Sequence, residues 1–491
     1  MSSRRISIDP ITRLEGHGNI EIFLDESGAV QECYFQVPEL RGFEKFLEGM
    51  PVEEVPRVVT RICGVCPGAH HMAAGKAVDA VYSVTPPPAA RKLRELFYCA
   101  HFVHSHIAHF YALAAADFVV GPDAEPARRN VLGVVQEVGK EVGLDVLRHR
   151  GLAQKIQATL AGRATHPVWT LPGGVSKGIT EAERVEVQGM AESCVAFAGR
   201  SLELFDRAVL GNRAYLDLIL SETYELSTYH VGTVDRQNRL NFYDGEHRVV
   251  GPEGQEVLRY QDAEYLEHIA EHTEPYSYLK FPYLRRVGWR GLTDGPDSGL
   301  YQASPLSRLN VADGMATPLA QAAYERYVDT LGGKPVRKLL ATHWARLIEM
   351  LYAAERALEL SRDPEITSPE IRVLPTATPR EGVGVVEAPR GILTHHYRTD
   401  EQGLVTMANL IVGTTNNHGP ICIAIRNAAR RLIQPGREPD QGLLNMVEMA
   451  FRLFDPCFSC ATHSLPGSMP LTVTLRGPDG ARLSTLSRRG R

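Results

Sequence analysis

Two CxxC pairs lie near opposite ends of the chain, Cys63 and Cys66 in RICGVCPGAHH and Cys457 and Cys460 in DPCFSCATH. Four thiolates in two such pairs make a complete ligand set for a soft metal ion. Each pair can clamp one ion, because two intervening residues let the chain turn with both sulfurs on one side, and a fold that uses them together must bring its ends to a common centre. A structural zinc site is the bland alternative. Zinc ribbons, however, place their pairs within about twenty residues of each other, whereas most of this 491-residue chain lies between them. Each pair is also followed by a histidine, His70 four positions after Cys66 and His463 three positions after Cys460, where an imidazole can orient a ligand thiolate. On spacing alone, zinc remains open.

At 44% hydrophobic residues the chain can build several layers and two or three subdomains. A net charge of −5, with arginines scattered except in the SRRGR terminus, leaves no electrostatic footprint for nucleic acid. There is no apolar run of about eighteen residues to span a membrane, and MSSRRISIDP lacks a signal-peptide core, so a cytoplasmic protein is expected. Of the eight cysteines, Cys33, Cys99, Cys194 and Cys422 lie outside the pairs and are expected to be buried apolar residues, not disulfide partners.

Hydrophobic periodicity predicts mainly helix with smaller β parts, an α+β chain around a central bundle. NIEIFLD and AVQECYFQV flank an ESG turn as a hairpin. Pro67 suits the first position of a helix through HMAAGKAVDAVYSV, which would put the first pair at a helix N-terminus. One long helix is expected from PPPAARKLRELF through HFVHSHIAHFYALAAADFVV, another at EPARRNVLGVVQEVGKEV, and a capping box of Thr180 and Glu183 opens the next. The expected organisation is a β-rich part at 1–60, a helical bundle at 61–222, an irregular elaboration with short strands at 223–314, and helices, strands and the second metal-binding segment at 315–463.

Other motifs are weak by themselves. Gly174 to Gly178 reads GxSxG, but in a PGG turn before a capped helix rather than at a strand end. His101, His104, His106 and His109 fit hydrogen-bonded core histidines of a bundle better than metal ligands. Asp9, Arg13, Glu15 and His17 read as a strand-end turn with solvated charges.

A resemblance changes these weights. RICGVCPGAHH and DPCFSCATH together resemble the paired signatures of the [NiFe]-hydrogenase large subunit, RxCGxCxxxH and DPCxxCxxH, and the similarity extends through DPITRLEGHGNI, ELRGFEKF, HFVHSHIAHFY, EAPRGILTH and NLIVGTTNN. PELRGFEKF, PGAHHMAA and SCATH look most like the cytosolic, multisubunit branch that includes the F420-non-reducing (methyl-viologen-reducing) enzymes. The resemblance implies reversible heterolytic cleavage of dihydrogen on a large-subunit-type central bundle. Cys63, Cys66, Cys457 and Cys460 would hold nickel, with Cys66 and Cys460 shared with an iron carrying carbon monoxide and cyanide.

By the same family pattern Cys457 is the first proton acceptor and Glu15 the relay carboxylate, while Arg390 lies over the open metal position, either polarising dihydrogen or binding a cyanide. Thr414 would donate to the other cyanide, and His70 would hydrogen-bond near a bridging sulfur. Glu44, His463 and the carbonyl of Leu410 match ligands of a magnesium or other divalent ion. Ser105 stands where many uptake enzymes carry aspartate, and Gly413 and Asn416 where many have proline and tryptophan. Residues 464–491 resemble a maturation peptide, removed by an endopeptidase after nickel-insertion proteins have acted. Electrons would leave through an iron–sulfur small subunit, then a flavin or heterodisulfide-reductase module. The alternatives are a hydrogen sensor with the same site and little turnover, a structural zinc protein, and a respiratory-complex relative that has lost its metal; the last is disfavoured by the retained cysteines.

Overall fold

In the strand Asn19–Leu24 every second residue, Ile20, Ile22 and Leu24, is buried, and Val30–Gln36 pairs antiparallel with it. Asp25 closes the turn, its Oδ1 accepting from the backbone of Ser27 (2.8 Å) and Ala29 (3.0 Å), as short carboxylates do in turns. Arg4–Ile8 adds a third strand on the other edge of Asn19–Leu24. This computed structural model describes residues 4–9, 11–436, 438–462, 471–476 and 482–488. The fold is mainly helical with smaller sheets, as the periodicity predicts.

Pro88–Ala108, Lys140–Ala161, Glu181–Phe205 and Thr342–Arg362 form the central bundle. Thr342–Arg362 packs on both Glu181–Phe205 and Pro88–Ala108, and the latter also packs on Lys140–Ala161. The capping box is made as expected: Thr180 Oγ1 accepts from Glu183 N, and Glu183 Oε2 accepts from Thr180 N. Two expected helices change course. The rod beginning at Pro88 passes after Ala108 into π-helical turns, His109–Ala114 and Ala116–Val120. Such turns absorb extra residues without ending the rod, which continues inward to the buried Asp117. The EPARRNVLGVVQEVGKEV segment breaks at Gly139, whose φ of +94° suits glycine, into Val131–Val138 and Lys140–Ala161.

Residues 223–314 contain the strands Tyr229–Val234, Glu246–Val250 and Glu256–Tyr260, with Tyr301–Gln302 added in parallel to the first. The sheet that matters most for the site runs Glu381–Ala388, Gly391–Thr399, Val405–Ile411 in antiparallel order. Helix Pro67–Val81 lies directly on its first two strands. The approach is so close that a Cβ on Gly384 would sit 2.3 Å from Ala77 N and 2.4 Å from Ala73 O. Because that helix begins at Cys66 and the turn between the strands carries Arg390, this packing sets one side of the site. Helix Gln441–Arg452 delivers the second cysteine pair from the other. In the C-terminal segment Leu471–Arg476 pairs antiparallel with Arg482–Arg488.

Gly384→Ala drives a methyl group into the Pro67–Val81 backbone and is expected to cost about 1–3 kcal/mol or more by overpacking. A lowered thermal unfolding midpoint checks this; an unchanged midpoint would mean that helix and sheet are not in this contact.

Candidate metal centre

The Sγ atoms of Cys63, Cys66, Cys457 and Cys460 all lie within 4.8 Å of one another. All four residues are buried and none forms a disulfide. Cys63 follows the 3-10 turn Val59–Ile62, and the backbone of Val65 and Cys66 folds over it so that both N–H groups donate to its sulfur at 3.2 Å. On the other side Cys457 N donates to Thr414 Oγ1 (3.0 Å), and Cys460 Sγ donates to Cys457 O (3.1 Å). Cys63 meets Cys457 at 3.2 Å, and Cys66 meets Cys460 at 4.0 Å. Burial pushes the Cys457 and Cys460 thiols well above their ordinary pKa, whereas thiol hydrogen bonds from Cys457, Cys460 and Cys63 pull Cys66 well below its own. The donor chemistry and the spacing fit soft transition metals.

Glu15 is threaded against the second pair by its backbone. Its N–H donates to Pro456 O (3.4 Å), and its carbonyl accepts from Phe458 N (3.0 Å). Gly16 makes this possible: its φ is +89°, and a Cβ there would stand 2.8 Å from Ser459 N. The Glu15 carboxylate then takes two hydrogen bonds from one turn, from Cys457 Sγ to Oε2 at 2.9 Å and from Ser459 Oγ to Oε1. Of the residues read as a solvated strand-end turn, Asp9 and His17 are exposed, but Glu15 and Arg13 turn inward. Arg13 donates to Asn445 Oδ1 (2.7 Å) and to Asp117. The π-helical rod supplies that acid, and a sequence pattern does not show it.

Arg390 is buried in the Pro389–Arg390 turn. Its Nη2 donates to Asp455 (3.2 Å to Oδ1), and Nη1 reaches Ser105 Oγ at 3.4 Å. Burial opposes its charge, but Asp455 and then the sulfurs of Cys457, Cys66 and Cys63 outweigh it, and the net shift is upward. Arg346, also buried, donates to Pro389 O (2.9 Å) and Leu453 O (3.0 Å), so it fixes both the Arg390 turn and the segment before Cys457. Asp455 takes a left-handed φ of +54°, a geometry costing about 1–3 kcal/mol in a non-glycine residue. Asp455, Arg346 and Ser459 are not among the residues that the sequence singles out. For the first and last, the available signal is a polar residue inside a cysteine motif.

His70 Nδ1 bonds His395 Nε2 (3.0 Å), which leaves its own Nε2 buried without a hydrogen-bond partner among the described residues; His70 also helps to lower Cys66. Glu44 is buried and accepts from Leu410 N at 2.9 Å, and burial raises its pKa to about 7. His463 lies outside the described residues, but Thr462 O just before it accepts from Arg41 N (2.9 Å), close to Glu44 in sequence. Of the bundle histidines, His106 bonds Glu349 and His109 the carbonyl of Arg452, both at 3.0 Å, whereas His104 has no hydrogen-bond partner on either nitrogen among the described residues. Burial keeps His101 and His104 neutral, at about 4 and about 3. Ser176 of the GxSxG match is exposed.

A sulfur-lined centre at the meeting of both chain ends defines a metalloenzyme rather than a locally stapled module, and the chain belongs to the nickel-dependent hydrogenases, whose family model matches residues 41–131 and 217–463. A second model, HoxL-like, matches residues 5–40. Among particular relatives, the chain is 48% identical to an F420-non-reducing hydrogenase iron-sulfur subunit of Archaeoglobus profundus, over 98% of this chain and 99% of that one. It is 37% identical to the NAD-reducing hydrogenase HoxS subunit beta of Cupriavidus necator, covering 96% and 97%. A crystal structure of an NAD+-reducing [NiFe]-hydrogenase in the H2-reduced state superposes with a TM-score of 0.88 at 36% identity, over 94% of this chain and 99% of that one. The protein is therefore the catalytic large subunit of a hydrogenase, an oxidoreductase whose four-cysteine centre fits nickel and iron.

Arg346→Met leaves two carbonyls without their donor and removes the positive charge 3.6 Å from Asp455 in a dry interior. An expected loss of about 3–5 kcal/mol, typical of breaking one side of a buried charge network, would appear in denaturant unfolding.

Proposed function

We propose that this subunit cleaves dihydrogen heterolytically and reversibly, with Cys457 as the first proton acceptor and Glu15 as the second. The observation that carries the reading is the 2.9 Å contact between Cys457 Sγ and Glu15 Oε2 inside the tetrathiol cluster. Cys63, Cys66, Cys457 and Cys460 would hold nickel and iron, and when bound the metals would supply the soft Lewis-acid site at which dihydrogen is polarised. The chain itself manages the proton. A charge released in this interior is costly unless it is handed on, and Glu15 receives it without rearrangement because both of its oxygens are already held by the Cys457–Cys460 turn.

Arg390 keeps a fixed positive charge beside the sulfurs, aimed by Asp455 and Ser105. Thr414 accepts from Cys457 N, which leaves its hydroxyl proton to be donated to a diatomic ligand. His70 offers its free nitrogen toward Cys66. Glu44, the Leu410 carbonyl and His463 would hold a magnesium or similar divalent ion, and a hard cation there would keep the Glu44 carboxylate ionised despite burial. Removal of residues 464–491 frees His463 to become a C-terminal ligand. Support for this comes from the family model, whose match ends at residue 463.

Among the described residues, the four cysteines are the sole gathering of three or more His, Cys, Asp or Glu donors close enough to hold a metal. Electrons therefore leave through an iron–sulfur small subunit, then through a further flavin or heterodisulfide-reductase module. The complex is cytoplasmic in this reading; no helix of the described residues is long and apolar enough to cross a membrane.

Glu15→Gln tests the reading. The variant should fold and load metal but exchange hydrogen isotopes with solvent about 10²–10⁴-fold more slowly, the usual worth of a positioned proton-transfer group. Exchange at the unmodified rate would overturn the assignment. Mass spectrometry of nickel-loaded protein should find a C-terminus at His463, and an intact tail would contradict the processing step.

A further inference from the structure

The proton delivered to Glu15 still has to reach solvent, and a second carboxylate stands in its way with an unusual division of labour. Glu39 has one oxygen, Oε1, on the Nδ1 of His17, whose side chain is 77% exposed in this chain. Its other oxygen, Oε2, is buried and has no hydrogen-bond partner among the described residues. A buried carboxylate oxygen left unpaired forfeits its hydration without a replacement, so its position calls for an explanation. That oxygen faces the Glu15 loop: Glu39 Oε2 and Ser459 N lie 3.0 Å and 2.8 Å from the same point, the place a Cβ would occupy on Gly16. Ser459, in turn, gives its hydroxyl proton to Glu15 Oε1.

We propose that Ser459, Glu39 and His17 form the proton outlet of this subunit, carrying the proton from Glu15 past the side-chain-free Gly16 to the surface. The inference rests on Cys457 and Glu15 as the first two acceptors. A hydroxyl both donates and accepts, so the Ser459 side chain turns to take a proton from Glu15 Oε1 while passing its own, through a bridging water, to Glu39 Oε2. Glu39 hands a proton from Oε1 to His17 Nδ1, and the ring releases one from Nε2 to water. One proton enters and one leaves, and no electrons move along the path. Accepting from His17 Nδ1, the Glu39 carboxylate raises the His17 pKa, which suits a surface group that must accept before it releases. His272 and Glu274 make a similar pair at 2.9 Å elsewhere in the fold.

The test compares two rates in the assembled, metal-loaded complex. Interconversion of para- and ortho-hydrogen requires only cleavage and recombination at the centre, whereas isotope exchange with heavy water also requires the proton to leave. In Glu39→Gln the first rate should hold and the second should fall about 10–100-fold, with partial recovery on adding imidazole; His17→Gln, on an exposed ring, should show a weaker loss of the same kind, and Glu274→Gln neither. Undiminished exchange in Glu39→Gln overturns the outlet, and so does a parallel loss of both rates, which would mark Glu39 as a prop for the site. If Glu15→Gln itself exchanges normally, the failure lies one step earlier, in the Cys457–Glu15 reading.

Discussion

Two turns 394 residues apart must place four sulfur atoms in one dry pocket, and every other feature of the site follows from how that meeting is enforced. A short stretch of backbone pairing between Glu15 and the Pro456–Phe458 segment fixes the register of the second turn against the N-terminal sheet. Without it the Cys457–Cys460 segment has no regular secondary structure to hold it. The same pairing puts the Glu15 carboxylate on Cys457, so the element that closes the four-sulfur cluster also supplies a carboxylate to the proposed proton path.

Charge is the second organiser. Arg94, Arg308, Arg346 and Arg452 are all fully buried, each clamping segments distant in sequence. Arg308 forks onto Glu349 at 2.6 and 2.7 Å and reaches Glu387 at 3.0 Å, and Arg452 ties Asp117 to Glu448. Networks of this kind contribute little net stability, because desolvation cancels most of the attraction. Their consequence here is geometric: a guanidinium accepts few arrangements of its partners, and Arg346 thereby locks the Arg390 turn to the residues entering Cys457. Thiolates gathered in a low-dielectric interior need nearby positive charge, and Arg390 supplies it without depending on pH.

Much of this was legible in the chain itself. The cysteine spacing located the centre, alternation at Ile20, Ile22 and Leu24 marked the first sheet, and the Thr180–Glu183 capping box marked a helix start, because each depends on residues close together in sequence. What could not be read depended on tertiary partners. Arg13 looks like any solvated residue in a turn until Asp117 meets it, and nothing local distinguishes a buried Arg346 from a surface one. The π-helical turns after Ala108 and the break at Gly139 likewise interrupt patterns whose periodicity is continuous. Ser459 and Asp455 were in plain view inside the second cysteine motif, but their partners, Glu15 and Arg390, come from other parts of the fold.

The central claim is that the four sulfurs form a nickel–iron centre, and metal content read together with infrared spectra tests it most directly. The purified complex should contain nickel and iron in equal amounts at this site and should show the stretching bands of iron-bound carbon monoxide and cyanide. Zinc in the four-cysteine site, with no such bands, would contradict the account.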